Sequence, residues 1–431
     1  MDRALSGPEG ATQGIDVPIE LPSAASTSMS LAFVYDMDAC RGPTGVTRHA
    51  VAQLERLRAR AGIALQVISG RMSEPDGLVY WETLGDVKRR ELPFRTRNAL
   101  RWWRVRPWPP IEWWTGPVDW VYSPAEYAVP TRKARRAVTS HDVLQNLEFN
   151  PGANAARNRE WLGRTFRQAD LILSVSRFNT ERLLEFFPEC VGRIEYVPNG
   201  AEDLFFEEAG ERDRASVRED LGLPPGMPYL LSVANFQPRK NLSRLVRASA
   251  RIPEVASGDL ALVLLGTGTE AEEGPLRAEI ATLGRKPLIR LPGYRQGLPL
   301  RAAYAEAKAL VFPSLCESFG IPVVEAMAQG APVALADSTA LPEVGGSAGW
   351  YFDPRQEDAL AETISNLLRE HDERARRVVL GRDIAAGYRW QSANDRLVTA
   401  LNAHHERPGR HVESPRRIKL LSSIPWGRSR L

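Results

Sequence analysis

Short apolar runs alternate with amphipathic stretches along the chain from about residue 30 to about residue 400. This alternation is typical of parallel α/β units, in which each strand is buried on both faces and a helix connects it to the next strand. The runs predict strands at 31–35, 65–68, 120–122, 137–140, 171–175, 195–197, 229–233, 260–265, 288–291, 309–312 and 332–336. Amphipathic helices are predicted at 46–60 and 390–401, and the pattern as a whole predicts an α/β protein.

The strand pattern breaks once, at a charged stretch that ends in Pro and Gly, and then restarts. A chain of 431 residues exceeds one ordinary core and predicts about two domains of roughly 150–200 residues. The predicted organisation is a disordered leader at 1–29, a first α/β domain at 30–205, a linker with a short helix at 206–227, a second α/β domain at 228–386, a final helix at 387–404 and a basic tail at 405–431.

Composition argues against several classes of protein. The net charge of +3 is too small to favour nucleic acid. Cys40, Cys190 and Cys316 lie far apart without CxxC spacing, which suits a reducing compartment and argues against a zinc site or a disulfide framework. The sequence contains no run of about 18 apolar residues, so no transmembrane helix is predicted. Residues 1–29 lack the basic start and apolar centre of a signal peptide. These features predict a cytoplasmic protein.

The stretch 313–346 contains the strongest candidate site. It follows a predicted buried strand, and Pro322 suits the first position of a helix that Gly330 ends. The amides of Phe319, Gly320 and Ile321 would then lie at the helix N-terminus, where free N–H groups and the helix dipole favour a phosphate.

Glu317 and Glu325 are the candidate sugar-binding acids of this stretch. One lies on the loop before the helix and the other is predicted in its first turn, so both can face one ligand. A carboxylate accepts two hydrogen bonds at once, which suits the vicinal hydroxyls of a sugar or a ribose. The alternative is a helix cap and a solvated acid.

A second candidate site lies at 232–246. Arg239 and Lys240 follow a predicted strand at a βα turn, where ligands of open α/β sheets bind, and two cations there can neutralise a diphosphate. The alternative is a basic helix start that meets solvent.

These two stretches resemble the large retaining glycosyltransferase family 4. The resemblance is carried by ESFGIPVVEAMAQGAPV at 317–333, ALPEVGG at 340–346 and FQPRKN at 236–241, and it continues in LGTGTE at 265–270, the segment 291–314, His141-Asp142, 169–183 and 196–205. It implies a GT-B architecture, in which two Rossmann-like domains with parallel sheets face each other across a donor cleft and the last helix crosses back to the first domain.

The resemblance also implies a role for each matching residue. In the second domain, Glu317 would hold hydroxyls of the donor sugar, Glu325 would bind the ribose, Arg239 and Lys240 would clamp the diphosphate, and Phe319, Gly320 and Ile321 would contact the sugar and diphosphate. In the first domain, His141 would reach the sugar and Gly45 would let the backbone approach the donor. Asp142, Gly266 and Ser318 would complete the donor site. The first glycine turn departs from the commoner pattern, because Pro43-Thr44 separate Gly42 from Gly45.

The implied activity is transfer of a hexose from a nucleotide diphosphate sugar to a glycan or lipid-linked glycan in polysaccharide biosynthesis, with retention of configuration. The glutamate motif looks most like that of bacterial mannosyltransferases of surface polysaccharide assembly. GDP-mannose is therefore the first donor expected, with UDP-glucose and UDP-N-acetylglucosamine open.

No aspartate-rich DxD motif stands out, and Arg239, Lys240 and a helix terminus can do the work of a metal, so no metal or cofactor is expected. The alternatives are a catalytically silent nucleotide-sugar-binding scaffold, which the intact set of Arg239, Lys240, Glu317 and Glu325 disfavours, and a sugar phosphorylase or epimerase on the same fold.

Residues 88–120 combine many arginines with six tryptophans. Arginine with tryptophan suits a membrane interface, where the ring sits at headgroup depth and the cation meets anionic lipid. One interpretation is therefore peripheral contact with an anionic membrane, at the inner face of the plasma membrane. The others are a solvated loop whose tryptophans pack into the core, and a protein interface.

Overall fold

The computed structural model describes residues 28–41, 44–149, 155–284 and 286–406. The predicted leader up to residue 27, the Gly42-Pro43 part of the first turn and the basic tail from residue 407 lie outside the described residues. The described chain contains two parallel sheets with helices around them, which confirms the predicted α/β class. In this part of the chain, no helix is both long and apolar enough to cross a membrane.

The strands of the first sheet are β1 Met29–Val34, β2 Ile63–Ser69, β3 Lys88–Glu91, β4 Trp120–Ser123, β5 Arg135–Ser140, β6 Leu171–Ser174 and β7 Ile194–Tyr196. Those of the second are β8 Tyr229–Val233, β9 Ala261–Leu265, β10 Ile289–Gly293, β11 Ala309–Phe312, β12 Val333–Ala336 and β13 Gly349–Phe352.

The α-helices of the first half are α1 Gly45–Arg58, α2 Pro75–Thr83, α3 Thr96–Val105, α4 Glu112–Thr115, α5 Ala155–Gln168 and α6 Arg177–Phe186. Those that follow are α7 Glu211–Asp220, α8 Leu242–Ser249, α9 Pro253–Ser257, α10 Glu270–Thr282, α11 Gly297–Glu306, α12 Ile321–Ala328, α13 Leu341–Gly345, α14 Glu357–Arg369, α15 His371–Ala386 and α16 Trp390–His405.

Both sheets are doubly wound. The first has the order β3-β2-β1-β4-β5-β6-β7 and the second has the order β10-β9-β8-β11-β12-β13. The strand order reverses beside β1 in the first sheet and beside β8 in the second. In open parallel sheets, ligands bind beyond the carboxyl ends of the strands at this reversal. Each sheet therefore offers one binding edge.

The predicted strands are present with ends that differ by one or two residues, and β3 and β13 were not predicted. β3 has the sequence KRRE and lies at the sheet edge with mostly exposed side chains, so it carries no apolar signal. β13 has the short sequence GWYF and also lies at an edge. Two predicted boundaries shift slightly, because Met29 already belongs to β1 and α16 continues to His405.

The last helix joins the two halves of the molecule. α16 follows the second domain in sequence, but Leu397 and Leu401 pack in the core of the first domain with Leu31 and Phe33. Apolar side chains that are fully buried in this way contribute about 1.5–3 kcal/mol each. The crossing helix that the resemblance implied is therefore part of the hydrophobic core of the first domain.

Candidate functional site

The two binding edges face each other, and a hydrogen bond joins them. Asp142 lies just beyond β5 of the first domain, and Ser318 lies beyond β11 of the second. The Ser318 hydroxyl donates to Asp142 Oδ1 over 2.8 Å. The predicted donor residues of the two domains thus line one cleft.

A buried ion pair lies at the centre of this cleft. Lys240 Nζ is 2.5 Å from Glu317 Oε1, and Arg239 Nη1 is 3.5 Å from Glu317 Oε2. Burial alone would raise the pKa of Glu317, but the charges of Lys240 and Arg239 outweigh it and the pKa lies below its ordinary value. Glu317 is therefore a carboxylate at neutral pH, in a place from which water is largely excluded.

Backbone contacts hold the two loops of the ion pair together. The Leu315 amide donates to the Arg239 carbonyl over 2.8 Å, and Arg239 Nη1 donates to the Cys316 carbonyl over 3.0 Å. Asn241 adopts a left-handed conformation with φ of 59°, which Asn tolerates better than most residues, and its side-chain amide donates to the Pro313 carbonyl. The positions of Arg239 and Lys240 are thus fixed by the glutamate loop.

Asp142 is the acidic member of the cleft on the first domain. Burial raises its pKa to about 6, although the charge of Arg239 and the hydrogen bond from Ser318 oppose the shift. The amides of His141 and Asp142 both donate to Glu126 Oε1, which fixes the turn after β5.

His141 is buried beside Asp142. Its Nε2 lies 2.8 Å from the Pro124 carbonyl and therefore donates, which leaves Nδ1 as the acceptor. Burial lowers the pKa of His141, and its ring packs edge-on against His49 at 4.8 Å. Within the described residues, no hydrogen bond or ion pair joins His141 to Glu317, so the predicted contact with the donor sugar stays a prediction.

The glutamate loop ends in a helix terminus that faces the first domain. α12 begins at Ile321 after Gly320, whose φ of 114° favours glycine, and Pro322 is its second residue. In the described chain, nothing accepts a hydrogen bond from the amides of Phe319, Gly320 or Ile321. A β-carbon on Gly45 would lie 3.8 Å from Ile321 Cδ1, so the start of α1 lies opposite this terminus.

Glu325 occupies a different place from Glu317. It is the fifth residue of α12, so the prediction that it lies in the first turn was wrong, because the helix begins at Ile321, one residue before the predicted start at Pro322. Its Oε2 accepts a hydrogen bond from the Tyr304 hydroxyl over 2.9 Å, and Arg48 of α1 pairs with its Oε1. Burial raises the pKa of Glu325 to about 6, against the charge of Arg48.

A cavity of about 800 Å³ adjoins Glu325 between α1 and the second domain. This volume lies in the range of small-molecule sites. Arg48, Glu202, Tyr294 and Gln296 line it together with Glu325. Sequence reasoning missed these four residues, although Arg48 lies in the first turn after Gly45, and Tyr294 and Gln296 belong to the matching segment 291–314.

Gly266 has a structural reason to be glycine. It follows β9 with φ of 145°, and a β-carbon there would lie 1.8 Å from the Ala234 carbonyl oxygen. The close approach of the two loops that follow β8 and β9 thus accounts for this residue without a ligand. Its predicted contact with the donor stays a prediction.

Comparisons with known proteins agree with this architecture. A model described as Glycosyltransferase Family 4 matches residues 43–203, and one described as Glycosyl transferases group 1 matches residues 213–381. Among curated proteins, the chain is 27% identical to O-antigen chain mannosyltransferase B of Escherichia coli over 65% of this chain and 74% of that protein. It is 30% identical to D-inositol 3-phosphate glycosyltransferase of Nocardia farcinica over 55% of this chain and 53% of that protein.

A third relative is the serotype-specific mannosyltransferase WbdA of Escherichia coli, 31% identical over 47% of this chain and 25% of that protein. The match thus spans about half of the Nocardia relative and a quarter of WbdA. Among solved structures, a glycosyltransferase from Rickettsia africae superposes with a TM-score of 0.68 at 14% identity, over 89% of this chain and all of that one. Anabaena Alr3699/HepE in complex with UDP and glucose superposes with a TM-score of 0.65 at 18% identity, over 87% of this chain and all of that one. These structures show a common fold.

Proposed function

This chain belongs to the family 4 glycosyltransferases, and on that basis we propose that it moves a hexose from a nucleotide diphosphate sugar to a glycan or lipid-linked glycan acceptor in polysaccharide biosynthesis. The observation that carries the proposal is the buried cluster of Lys240, Arg239 and Glu317, which faces Asp142 across the cleft. A cytoplasmic location, predicted from the sequence, belongs to the proposal.

The cluster suits a diphosphate sugar because each of its members can exchange partners. A diphosphate offers anionic oxygens that can take over Lys240 and Arg239 from Glu317. Glu317 is then free to accept hydrogen bonds from hydroxyls of the sugar. The amides at the start of α12 add donors for the diphosphate, aided by the helix dipole.

Glu325 and the adjoining cavity suit the nucleoside. The carboxylate oxygens of Glu325 can accept hydrogen bonds from the two ribose hydroxyls once Arg48 moves away. Arg48 keeps a second partner in Glu202, whose Oε1 accepts a hydrogen bond from Arg48 Nε over 2.8 Å. Tyr304 holds the other oxygen of Glu325 in place. The nucleobase would then extend along Tyr294 and Gln296.

The proposed reaction breaks the bond between the anomeric carbon and the diphosphate. Positive charge develops on the sugar and negative charge on the diphosphate, where Lys240, Arg239 and the α12 amides stabilise it. The acceptor hydroxyl attacks the same face and gives its proton to a diphosphate oxygen, so configuration is retained. No metal takes part in this proposal, because the two cations perform the charge neutralisation.

GDP-mannose is the first donor proposed, since two of the relatives described above are named as mannosyltransferases. UDP-glucose and UDP-N-acetylglucosamine, which the sequence leaves open, are the rival donors.

The test is a calorimetric titration with GDP, UDP and ADP, each with and without EDTA, followed by product analysis with GDP-mannose, UDP-glucose and UDP-N-acetylglucosamine. We expect tight binding of GDP, no effect of EDTA, and mannose transfer that needs an added glycan acceptor. Preference for UDP would replace the proposed donor. Binding without transfer to any acceptor would favour a silent scaffold, and conversion of the sugar without an acceptor would favour a phosphorylase or epimerase.

A further inference from the structure

The tryptophans of the stretch 88–120 divide into two groups. Trp103 and Trp120 are buried in the first domain and Trp114 is partly buried against the same core as Trp103, as a purely structural role requires. Trp102, Trp108 and Trp113, in contrast, are 49%, 53% and 59% exposed. Large aromatic side chains are rarely so exposed in a group, and such groups mark contact surfaces.

The exposed rings form one patch that the fold holds in place. Trp102 Nε1 donates to the Trp108 carbonyl over 2.7 Å, and the rings of Trp108 and Trp113 meet edge-on at 5.0 Å. Val105, which is 84% exposed, lies one helical turn after Trp102 on α3. The opposite face of α3 packs into the core through Trp103. Trp102 and Val105 therefore project from a fixed helix, and Trp108 and Trp113, on the loop and short helix that follow, complete the patch.

Positive charge surrounds the patch. Residues 92–111 contain five exposed arginines and no acidic residue, namely Arg95, Arg97, Arg101, Arg104 and Arg106. None of the five forms a salt bridge with any residue that the structure describes. Burial, followed by the charges of Arg101 and Arg157, lowers the pKa of Arg104, whose guanidinium stacks on the Trp161 ring at 4.2 Å. Arg97 interacts electrostatically with Asp36. We call these arginines, together with Trp102, Val105, Trp108 and Trp113, the Trp/Arg surface.

We propose that the Trp/Arg surface docks the protein on an anionic lipid bilayer. A bilayer satisfies both halves of the surface at once, because indole rings favour the headgroup depth while guanidinium groups meet lipid phosphates. The positive charge selects a partner of negative sign, and the apolar rings select one with an apolar layer beneath that charge. This inference does not depend on which sugar the protein transfers.

The test uses flotation of the full-length protein with vesicles of phosphatidylcholine alone and with about one third phosphatidylglycerol. Two triple variants are compared, Trp102→Ala/Trp108→Ala/Trp113→Ala and Arg95→Gln/Arg101→Gln/Arg106→Gln. The matched control is Arg212→Gln/Arg355→Gln/Arg369→Gln, which removes the same charge from exposed positions of the linker region and second domain. An unchanged melting temperature verifies folding, since the altered side chains are exposed.

We expect the wild type to bind the anionic vesicles only. Affinity for these vesicles should fall on the order of a hundredfold in the Arg95/Arg101/Arg106 variant and at least about tenfold in the tryptophan variant, and it should not change in the control. Brominated lipids should quench the tryptophan fluorescence of the wild type and not that of the tryptophan variant. Failure to bind vesicles, or equal binding by both triple variants and the wild type, would overturn the proposal. Capture by acidic polypeptides without capture by vesicles would overturn it in favour of a protein partner.

Discussion

At the scale of single residues, the pair of Lys240 and Glu317 explains the site best. A buried ion pair is weak evidence for stability, because desolvation of two charges offsets much of their attraction. Apolar residues of similar size would serve a purely structural role as well. In the proposed function, the two side chains are ligand-binding groups, and a diphosphate replaces Glu317 as the partner of Lys240.

Replacement of Lys240 by methionine tests this interpretation. A hydrogen bond to a charged group contributes about 1.5–3 kcal/mol, so Lys240→Met should weaken nucleotide diphosphate binding roughly 10- to 100-fold and leave binding of the free nucleoside unchanged. Isothermal titration calorimetry measures both. Lys308→Met is the control, because Lys308 is exposed at the amino end of β11, away from the cleft. Equal losses in the two variants would contradict a diphosphate clamp.

Asp142 predicts a pH dependence of stability with a defined sign. Its pKa rises from the ordinary 3.8 to about 6 on folding, so the folded chain binds more protons between these values. Stability therefore falls as pH increases from about 4 to 6 and levels off above it, by at most about 3 kcal/mol. The melting temperature of Asp142→Asn relative to the wild type should increase over the same range.

Asp353 provides the opposite control for this experiment. Hydrogen bonds from the Arg355 amide and the Gln356 side chain lower its pKa. The melting temperature of the wild type should therefore increase relative to that of Asp353→Asn as pH increases. A difference for Asp142→Asn that stays constant with pH would show that its carboxyl is not perturbed.

Candidate site residues could be named from the sequence where a residue type and its local context suffice. Arg239, Lys240 and Glu317 could be named because cations at a βα turn indicate an anion site and an acid before a helix indicates a partner for sugar hydroxyls, without knowledge of the rest of the fold. Arg48 could not, because its partner Glu325 is 277 positions away and the contact exists only between the two domains.

At the scale of elements, strands that are buried on both faces were predictable and edge strands were not. β9 has the sequence ALVLL and is buried throughout, so its apolar run is unmistakable. β3 pairs with β2 through backbone hydrogen bonds, for which the sequence KRRE gives no signal. Some loops that follow the strands need glycine, because a β-carbon would collide with a neighbouring loop.

Gly266 should be the least replaceable of these glycines. Gly266→Ala would drive a β-carbon into the Ala234 carbonyl at a φ that alanine avoids, and we expect a loss of at least about 3 kcal/mol, seen as a lower melting temperature or insoluble protein. Gly387→Ala is the control, since its φ is −73° and a β-carbon meets its nearest atom at 3.4 Å. That change should be neutral or stabilise by about 0.4–1 kcal/mol. Equal melting temperatures for the two variants would contradict the steric argument.

At the scale of the whole molecule, function depends on how the two domains are held together. The last helix ties them permanently, because Leu397 and Leu401 belong to the core of the first domain. The polar contacts across the cleft, such as Arg48 with Glu325 and Ser318 with Asp142, can in contrast break and form as ligands enter and leave. Their sequence positions carry no local signal of this role.

Glu343 makes the contact that tests domain closure most directly. From α13 of the second domain, its carboxylate accepts hydrogen bonds from the amides of Arg177 at 2.9 Å and Phe178 at 3.1 Å. These amides lie in the first turn of α6 in the first domain, where N–H groups lack helical partners and the helix dipole favours an anion. Glu343 thus caps a helix of the opposite domain and favours the closed cleft.

Glu343→Ala should shift the molecule towards an open form without harm to either domain. Loss of about 1.5 kcal/mol across the cleft would lower kcat/KM roughly tenfold, because the proposed transfer needs Asp142 and Glu317 on the two sides of one closed cleft. Small-angle scattering should show a larger radius of gyration, which a saturating nucleotide diphosphate reverses, since the ligand bridges both domains. Glu362→Ala is the control, as Glu362 is exposed on α14 of the same domain. If Glu343→Ala scatters and turns over like this control, closure does not depend on the cap, and the Ser318–Asp142 contact must hold the cleft without it.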